Sequence, residues 1–320
     1  MARQHQLGLF SSQNANGKLE IRDRFDPENT VTLHHGDRLD LLSQIADSGA
    51  VAELIVTSPP YNIGKEYEET TSLVKYIASQ RETIEACLEI LSPTGSICWQ
   101  VGHYISGSGT DKEAFPLDLV LYPVFKSFKL KLRNRIVWHF GHGLHEKHRF
   151  SGRHETILWF TKDTNTFTFN LDPVRVPQKY PGKRAYRGPK KGQPSGNPLG
   201  KNPSDVWDMP NVKSNHIEKT EHPCQFPVAL IERLVLALTN EGDLVVDPYL
   251  GVGTTAVASL LHNRRAAGAD IMERYLAVAQ DRLVQAWNGT LRTRPLNKPV
   301  YEPDPNMKLS QKPDEWAGDE

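Results

Sequence analysis

The apolar run Leu54-Ile55-Val56 stops at Thr57-Ser58-Pro59-Pro60-Tyr61. An apolar run bounded by a turn signal reads as a buried strand. Two consecutive prolines cannot continue it, because neither donates to a ladder and both fix φ near the same value. The chain must therefore turn out of a sheet here. The turn's carbonyls remain as acceptors, with a hydroxyl before them and an aromatic face after them. That cluster suits a planar molecule that donates hydrogen bonds, such as a base with an exocyclic amino group. A plain Pro-Pro turn capping a strand is the other reading.

Around this point the hydrophobic period switches repeatedly. Residues 31–33, 54–57, 96–101, 135–140, 156–161, 244–246 and 266–270 read as strands. Residues 38–46, 73–91, 117–128, 227–238, 254–262 and 274–287 read as helices. Alternating strands and helices predict an α/β fold with a mainly parallel sheet. The 320 residues, 38% of them hydrophobic, suffice for one large core plus an inserted unit. Residues 1–29 are polar and without period, and the stretch from Arg292 carries five prolines; both are expected to be peripheral, extended or disordered. Residues 174–214 are rich in Pro, Gly and Lys and too long for an ordinary connection, which predicts a functional loop or a small irregular subdomain.

Lys+Arg and Asp+Glu are both 38, so global charge points to no partner. Locally, residues 175–219 hold ten Lys/Arg against three acids. Such an excess is an electrostatic footprint for phosphate, or a solvated loop. The three cysteines are odd in number and form no CxxC pair, no signal-like apolar segment opens the chain, and no run is long enough to span a membrane. A reduced, soluble, cytoplasmic protein is expected.

A second constellation follows residues 244–246. Asp247-Pro248-Tyr249-Leu250-Gly251-Val252-Gly253-Thr254-Thr255 leaves a strand and opens a helix, and Asp270 ends the next strand. Glycines let the backbone approach a ligand, and an acid at the second strand's tip accepts from ribose hydroxyls, as in nucleotide crevices. Gly251-x-Gly253-x-x-Ala256 also satisfies the dinucleotide fingerprint, so a nicotinamide oxidoreductase competes on this segment alone, as does a tight structural turn. Upstream, His222-Pro223-Cys224-Gln225-Phe226-Pro227 fixes entry into a helix. Its Pro-Cys-Gln also occurs at the nucleophile of cytosine carbon-5 methyltransferases, which would make Cys224 an attacking thiolate. His139, His142, His145, His148 and His154 crowd one glycine-containing stretch without accompanying cysteines, so no metal site is expected. Trp99, Trp138 and Trp159 are expected in the core, and residues 65–69 form a loop rim.

Taken together, the chain resembles the DNA amino-methyltransferases that use S-adenosylmethionine, in the group whose catalytic half precedes its cofactor half. The resemblance covers about residues 30–290. It rests on Ser58-Pro59-Pro60-Tyr61, on Asp247 to Thr255 with Tyr249 where the family signature has Phe, on His222 to Pro227, on Gly36-Asp37, and on the stretch around Glu155. It implies a Rossmann-like methyltransferase fold in permuted motif order, with a catalytic half at 30–160, a target-recognition region at 161–221 and a cofactor half at 222–290. It also implies roles. Ser58, Pro59, Pro60 and Tyr61 would be catalytic, with the Ser58 hydroxyl and Pro59 carbonyl on the amino group and Tyr61 stacked on the base. Asp37, His222, Pro223, Phe226, Asp247, Pro248, Gly251, Gly253, Thr254 and Asp270 would hold S-adenosylmethionine. Lys179, Lys183, Arg184, Arg187, Lys190, Lys191 and Lys201 would grip double-stranded DNA, whose target base must flip out. Ser58 leans towards cytosine N4 over adenine N6. A companion restriction endonuclease and a homodimer stay open.

Overall fold

In the computed structural model, residues 19–61, 71–108, 111–143 and 145–311 are described. Strands β1 (Ile21–Arg22), β2 (Val31–His35) and β3 (Ala52–Thr57) lead to β4 (Leu91–Val101), with α1 (Arg38–Ser48) and α2 (Leu73–Ile90) as the crossovers. A hairpin, β5 (His103–Ser108) and β6 (Asp111–Pro116), precedes α3 (Leu117–Ser127), β7 (Lys131–His139) and β8 (His154–Thr161). The chain then runs through β9 (Val206–Asp208), α4 (Val228–Leu238), β10 (Leu244–Asp247), α5 (Thr254–Leu261), β11 (Arg265–Asp270) and α6 (Glu273–Trp287).

Among the described residues one nine-stranded sheet has the order β1-β2-β11-β10-β3-β4-β8-β7-β9. From β1 to β4 every pairing is parallel, and β8 runs antiparallel between β4 and β7. The mainly parallel sheet expected from the sequence is therefore present. Two layers of helix explain why its strands read as nearly continuous apolar runs. Leu54, Val56, Val245, Ile157 and Trp159 face one core with α4, α5 and α6. Ile55, Val246, Trp99, Leu158 and Phe160 face the other with α1, α2 and α3. Trp99, Trp138 and Trp159 are all buried, as expected. No helix of the described residues is long and apolar enough to cross a membrane.

The order places β10 beside β3 although about 190 residues separate them in sequence, which sets the ends of both strands side by side. The carboxyl ends of β2, β11, β10, β3 and β4 share one edge of the sheet. Helix α1 starts there on the side chain of Asp37, whose Oδ1 accepts from the Leu39 amide at 2.8 Å, and ends on Gly49 at φ 73°.

Several expectations need correction. Residues 19–29 are not peripheral: β1 pairs with β2, and Phe25 and Asn29 are buried. The segment was opaque because a two-residue strand has no period. The flanks of the region 161–221 belong to the main core and sheet, so it is no subdomain throughout. Val174, Trp207, Met209 and Val212 are buried, and β9 extends the main sheet beside β7. Only the middle of that region leaves the sheet: Val176 and Lys201 pinch an exposed excursion at its base, and Arg184 and Pro194 tie it halfway. The strand expected at 96–101 begins at Leu91, because residues 92–95 bulge out between the pairs Ala52–Leu91 and Leu54–Ser96. The β5–β6 hairpin had no clear alternation to announce it. Residues 65–69 lie outside the described residues.

The start of the stretch from Arg292 docks through Arg294, whereas residues 297–308 are exposed, as an extended segment would be. Buried Glu218 accepts from the Val228 amide at the start of α4 on one oxygen and from the Arg294 amide on the other, both at 2.8 Å. The Arg294 guanidinium in turn donates to the Pro299 carbonyl at 3.0 Å. A Glu218→Ala variant strands two amide donors and leaves the buried Arg282 and Arg294 cations without their nearby carboxylate. It should lose about 3 kcal/mol of unfolding free energy in urea titration, with new proteolytic cleavage between α6 and residue 300. An unchanged midpoint would show that the tail docks without help from Glu218.

Candidate active site

The Pro-Pro turn and the glycine turn open onto one cavity of about 450 Å³. Ser58, Pro59, Pro60 and Tyr61 line it from the end of β3, and Pro248, Gly251 and Thr254 from the turn after β10. Asp37 lines it from the start of α1, His222 and Phe226 from the entry to α4, and Asp270 from the tip of β11. Pro223, Asp247 and Gly253, grouped with these from the sequence, do not line it: Pro223 is exposed, Asp247 is sealed beneath the floor, and Gly253 packs against α6.

Asp247 joins the two turns. Its Oδ1 accepts from the Thr57 hydroxyl at 2.6 Å and the Tyr249 amide at 3.1 Å, and its Oδ2 accepts from the Thr255 hydroxyl at 2.5 Å. The residue just before the Pro-Pro turn and the first turn of α5 thus share one carboxylate. Complete burial pushes this carboxyl up to about 6; the three donors oppose the shift and the Asp270 charge adds to it.

The glycine turn is built for close approach. Gly251 and Gly253 hold φ of 54° and 75°, a region L side chains rarely adopt. A Cβ on Gly253 would lie 2.6 Å from that of Ala279, so this glycine seats α6 against the turn. Asp270 secures the other side. Its Oδ2 accepts from the Gly251 amide at 2.9 Å and its Oδ1 from the Met272 amide at 2.8 Å. Burial raises its pKa, against these two amides. Each oxygen keeps a second lone pair, an arrangement suited to a vicinal diol. His222 Nδ1 accepts from the Cys224 amide at 3.2 Å, and its ring lies edge-on to Tyr275 at 4.6 Å.

A polar network on the cavity wall joins Tyr249 and Asp37 to residues that belong to no motif of the sequence. The Tyr249 hydroxyl meets Gln80 at 3.3 Å and Thr83 at 3.1 Å, both on α2, and Gln80 accepts from the Trp99 indole at 3.2 Å. Arg38 donates to Thr83 at 2.6 Å and Ser79 at 3.0 Å, pairs with Asp37 at 2.8 Å, and sits over the Tyr249 ring. The extra hydroxyl of Tyr249 is therefore satisfied by a matching pair of polar residues. Gln80 and Thr83, three apart on the otherwise apolar inner face of α2, were the available signal.

At the Pro-Pro turn, the Ser58 hydroxyl lies 3.1 Å from that of Tyr61, which donates to Glu155 Oε2 at 3.3 Å. Gln100 donates to the same Glu155 oxygen. Burial pushes the Glu155 carboxyl up to about 7, with the Gln100 and Tyr61 hydrogen bonds opposing the shift. The Tyr61 hydroxyl is raised first by burial and then by the Glu155 charge, so it stays protonated.

The basic residues Lys179, Lys183, Arg184, Arg187, Lys190, Lys191 and Lys201 lie exposed along the pinched excursion, interleaved with exposed Tyr180 and Tyr186. Arg184 is partly committed, donating to the Gly192 carbonyl at 2.6 Å. Cys224 is exposed and lines the cavity, whereas Cys87 and Cys98 are buried with strongly raised thiols. Among the described residues no three His, Cys, Asp or Glu side chains converge as a metal site requires; His139 bonds Asp208 at 2.7 Å and His103 lies edge-on to His154.

Residues 52–281 match a family model described as DNA methylase. The Type II methyltransferase M.BglII of Bacillus subtilis is 48% identical over 259 residues, covering 81% of this chain and 70% of that protein. The DNA adenine methyltransferase YhdJ of Escherichia coli K12 is 33% identical over 258 residues, covering 79% and 82%. Two solved structures share the fold. One is the cytosine-N4-specific PvuII DNA methyltransferase, with a TM-score of 0.60 at 19% identity over 82% of this chain and 93% of that one. The other is TTHA0409 of Thermus thermophilus in complex with S-adenosyl-L-methionine, at 0.57 and 23% over 80% and 94%.

The Asp247 bridge has a measurable signature. Its folded pKa lies above the ordinary 3.8, so between pH 4 and 6 the folded state holds more proton than the unfolded state. This group's contribution to stability therefore falls as pH rises through that window, by about 3 kcal/mol in all. In Asp247→Asn that component of the slope should vanish in urea titrations at pH 4 and pH 7. Equal slopes in the two proteins would place the titration elsewhere.

Proposed function

The chain belongs to the family of N6/N4 DNA methylases, and from that premise we propose that it transfers the methyl group of S-adenosylmethionine to cytosine N4 of a base flipped out of duplex DNA. The observation that supports this reading is the shared cavity, where acceptors for an amino group and a crevice for the methyl donor meet within about 450 Å³. The residues present fit the donor. Asp270 offers lone pairs to a ribose diol, the positive φ of Gly251 keeps a Cβ out of an ordinary L conformation, and Phe226, Pro248, Leu250 and Ile271 give the cavity apolar walls. S-adenosylmethionine supplies an electrophilic sulfonium methyl when bound.

The protein's task is then to make a poor nucleophile attack. The lone pair of an exocyclic amine is delocalised into the ring, and acceptors on its N–H groups favour pyramidal nitrogen and stabilise the positive charge that develops there. The Ser58 hydroxyl and the Pro59 carbonyl fill that role at the mouth of β3, and the Tyr61 ring gives the base an apolar surface. The N–C bond forms as the sulfonium C–S bond breaks, a neutral thioether leaves, and the positive nitrogen loses one N–H proton to water. Holding nitrogen in line with the methyl group contributes much of the remaining rate. The exposed excursion carrying Lys179 to Lys201 supplies cations for phosphate, with Tyr180 and Tyr186 available for stacking.

Adenine N6 is the second reading, because YhdJ, at 33% identity, is named an adenine methyltransferase. Mass spectrometry of nucleosides from DNA treated with the protein and the donor separates the two. N4-methylcytosine is the expected product; N6-methyladenine would reassign the base, and no methylated nucleoside would reject the reaction. Ser58→Ala and Tyr61→Ala should each lower transfer by about 10²-fold or more while donor binding survives. Asp270→Ala and Gly251→Val should weaken donor affinity about tenfold or more by calorimetry.

Charge reversal at Lys183, Lys190 and Lys191 should weaken binding on every DNA sequence. Each lost phosphate contact should flatten the slope of log affinity against log salt by about 0.9. An unchanged slope would make the excursion a solvated loop.

A further inference from the structure

Glu155 is a half-buried carboxylate that the transfer chemistry above does not use. It sits on β8 with its Oε2 receiving hydrogen bonds from Gln100 of β4 and Tyr61. A Cβ on Gly102 would lie 3.0 Å from the Tyr61 ring and 3.3 Å from Glu155 Oε1, so the bare backbone at the end of β4 lets ring and carboxylate meet. The three groups Ser58, Tyr61 and Glu155 form one chain from the cavity wall to the start of β8.

The direction of that chain decides what Ser58 presents. An ionised carboxylate only accepts. Tyr61 has a single hydroxyl proton, and it points at Glu155. The contact between Ser58 and Tyr61 then has one remaining polarity, with Ser58 donating and Tyr61 accepting. Ser58's own proton is then committed to Tyr61, which leaves the lone pairs of this cavity-lining hydroxyl to accept from an amino group. With the opposite polarity, a serine proton would meet the N–H protons it must accept.

We infer that Glu155 is a positioning residue for methyl transfer, which acts through Tyr61 to hold the Ser58 hydroxyl as an acceptor for the substrate amino group. The inference rests on the amino-transfer reading above and adds a residue to it. It also gives Tyr61 two separable functions, a ring face for the base and a hydroxyl for the chain. Charge-assisted hydrogen bonds are about twice as strong as neutral ones, so ionised Glu155 draws electron density back along the chain towards Ser58 as the amino nitrogen becomes positive.

The groups around Glu155 leave its ionisation to burial and to these contacts. Tyr61 faces it from the turn after β3 and neutral Gln100 from β4. Trp138 is its partner across β7. Cys224 from the entry to α4 acts on Tyr61, and His154 next to Glu155 packs on His103 of β5. Among the described residues no cation forms an ion pair with Glu155. Burial pushes its carboxyl up to about 7, so protonation below that pH removes the charge that polarises the chain.

Single-turnover methyl transfer from radiolabelled S-adenosylmethionine, measured from pH 6 to 9, tests this. Wild type should show a rate that falls as pH drops below about 7 and is flat above it. Glu155→Gln should lose about tenfold or more on the plateau, lose the acid limb, and keep its donor affinity by calorimetry. Tyr61→Phe keeps the ring and should fall at least as far. Adding Glu155→Gln to Tyr61→Phe should cost nothing further, because the chain is already cut. Glu155→Asp keeps the charge and should retain an acid limb. Additive losses, or an unaltered limb in Glu155→Gln, overturn the role of Glu155 while leaving the amino-transfer reading intact. A wild-type protein that methylates no amino group overturns both.

Discussion

Asp247 lies beneath the floor of the cavity with no solvent contact, accepting from Thr57 on one oxygen and from Thr255 on the other. Thr57 is the last residue of β3 and Thr255 belongs to the first turn of α5, so the carboxylate fixes the Pro-Pro turn relative to the glycine turn. Displacement at a methyl group tolerates little error in the line joining nucleophile, carbon and leaving group. A bridge of two short hydrogen bonds through one rigid group is a direct way to limit that error. The parallel pairing of β3 with β10 brings the residues near each other, and Asp247 removes the remaining slack.

Several other side chains of the cavity are also fixed by hydrogen bonds. Asp270 divides its oxygens between the amides of Gly251 and Met272. Tyr249 is locked by Gln80 and Thr83, and Arg38 ties that pair to Asp37 at the head of α1. These groups hold their geometry before any ligand arrives, so little ordering entropy is left to lose on binding. Asp247 and Glu155 both have pKa values raised by burial, yet their surroundings differ. Asp247 has donors on both oxygens and serves as a brace, whereas Gln100 and Tyr61 both bond Glu155 through Oε2 and lead towards the cavity.

Much of this was legible in the residues. The alternation of apolar runs pointed to the mainly parallel sheet, and the prolines after Val56 and the glycines after Pro248 marked where strands end and a ligand can approach. What escaped had no local signal. Asp247 sits in a motif most of whose other members line the cavity, and only burial shows that it faces inward. Trp207 and Val174 join the core from a segment too irregular to show a period, and Glu218 holds the segment after α6 through a contact spanning 76 residues. Long-range partners of this kind are set by topology, and sequence spacing says nothing about them.

The place of β3 in the strand order has a consequence for how the chain is made. It lies in the interior of the sheet, with β4 on one side and β10 on the other. While the chain emerges from a ribosome, β4 is available early and β10 only after about 150 further residues. Throughout that interval the backbone groups of β3 that later pair with β10 lack that partner, and an unpaired strand edge invites pairing with other chains. The exposed excursion and β9 are synthesised in the same interval. A chain cut off before Leu244 would therefore be an aggregation hazard rather than a half-active protein, and the arrangement that aligns the two turns also makes the nascent chain dependent on timely completion or on a chaperone to cover that edge.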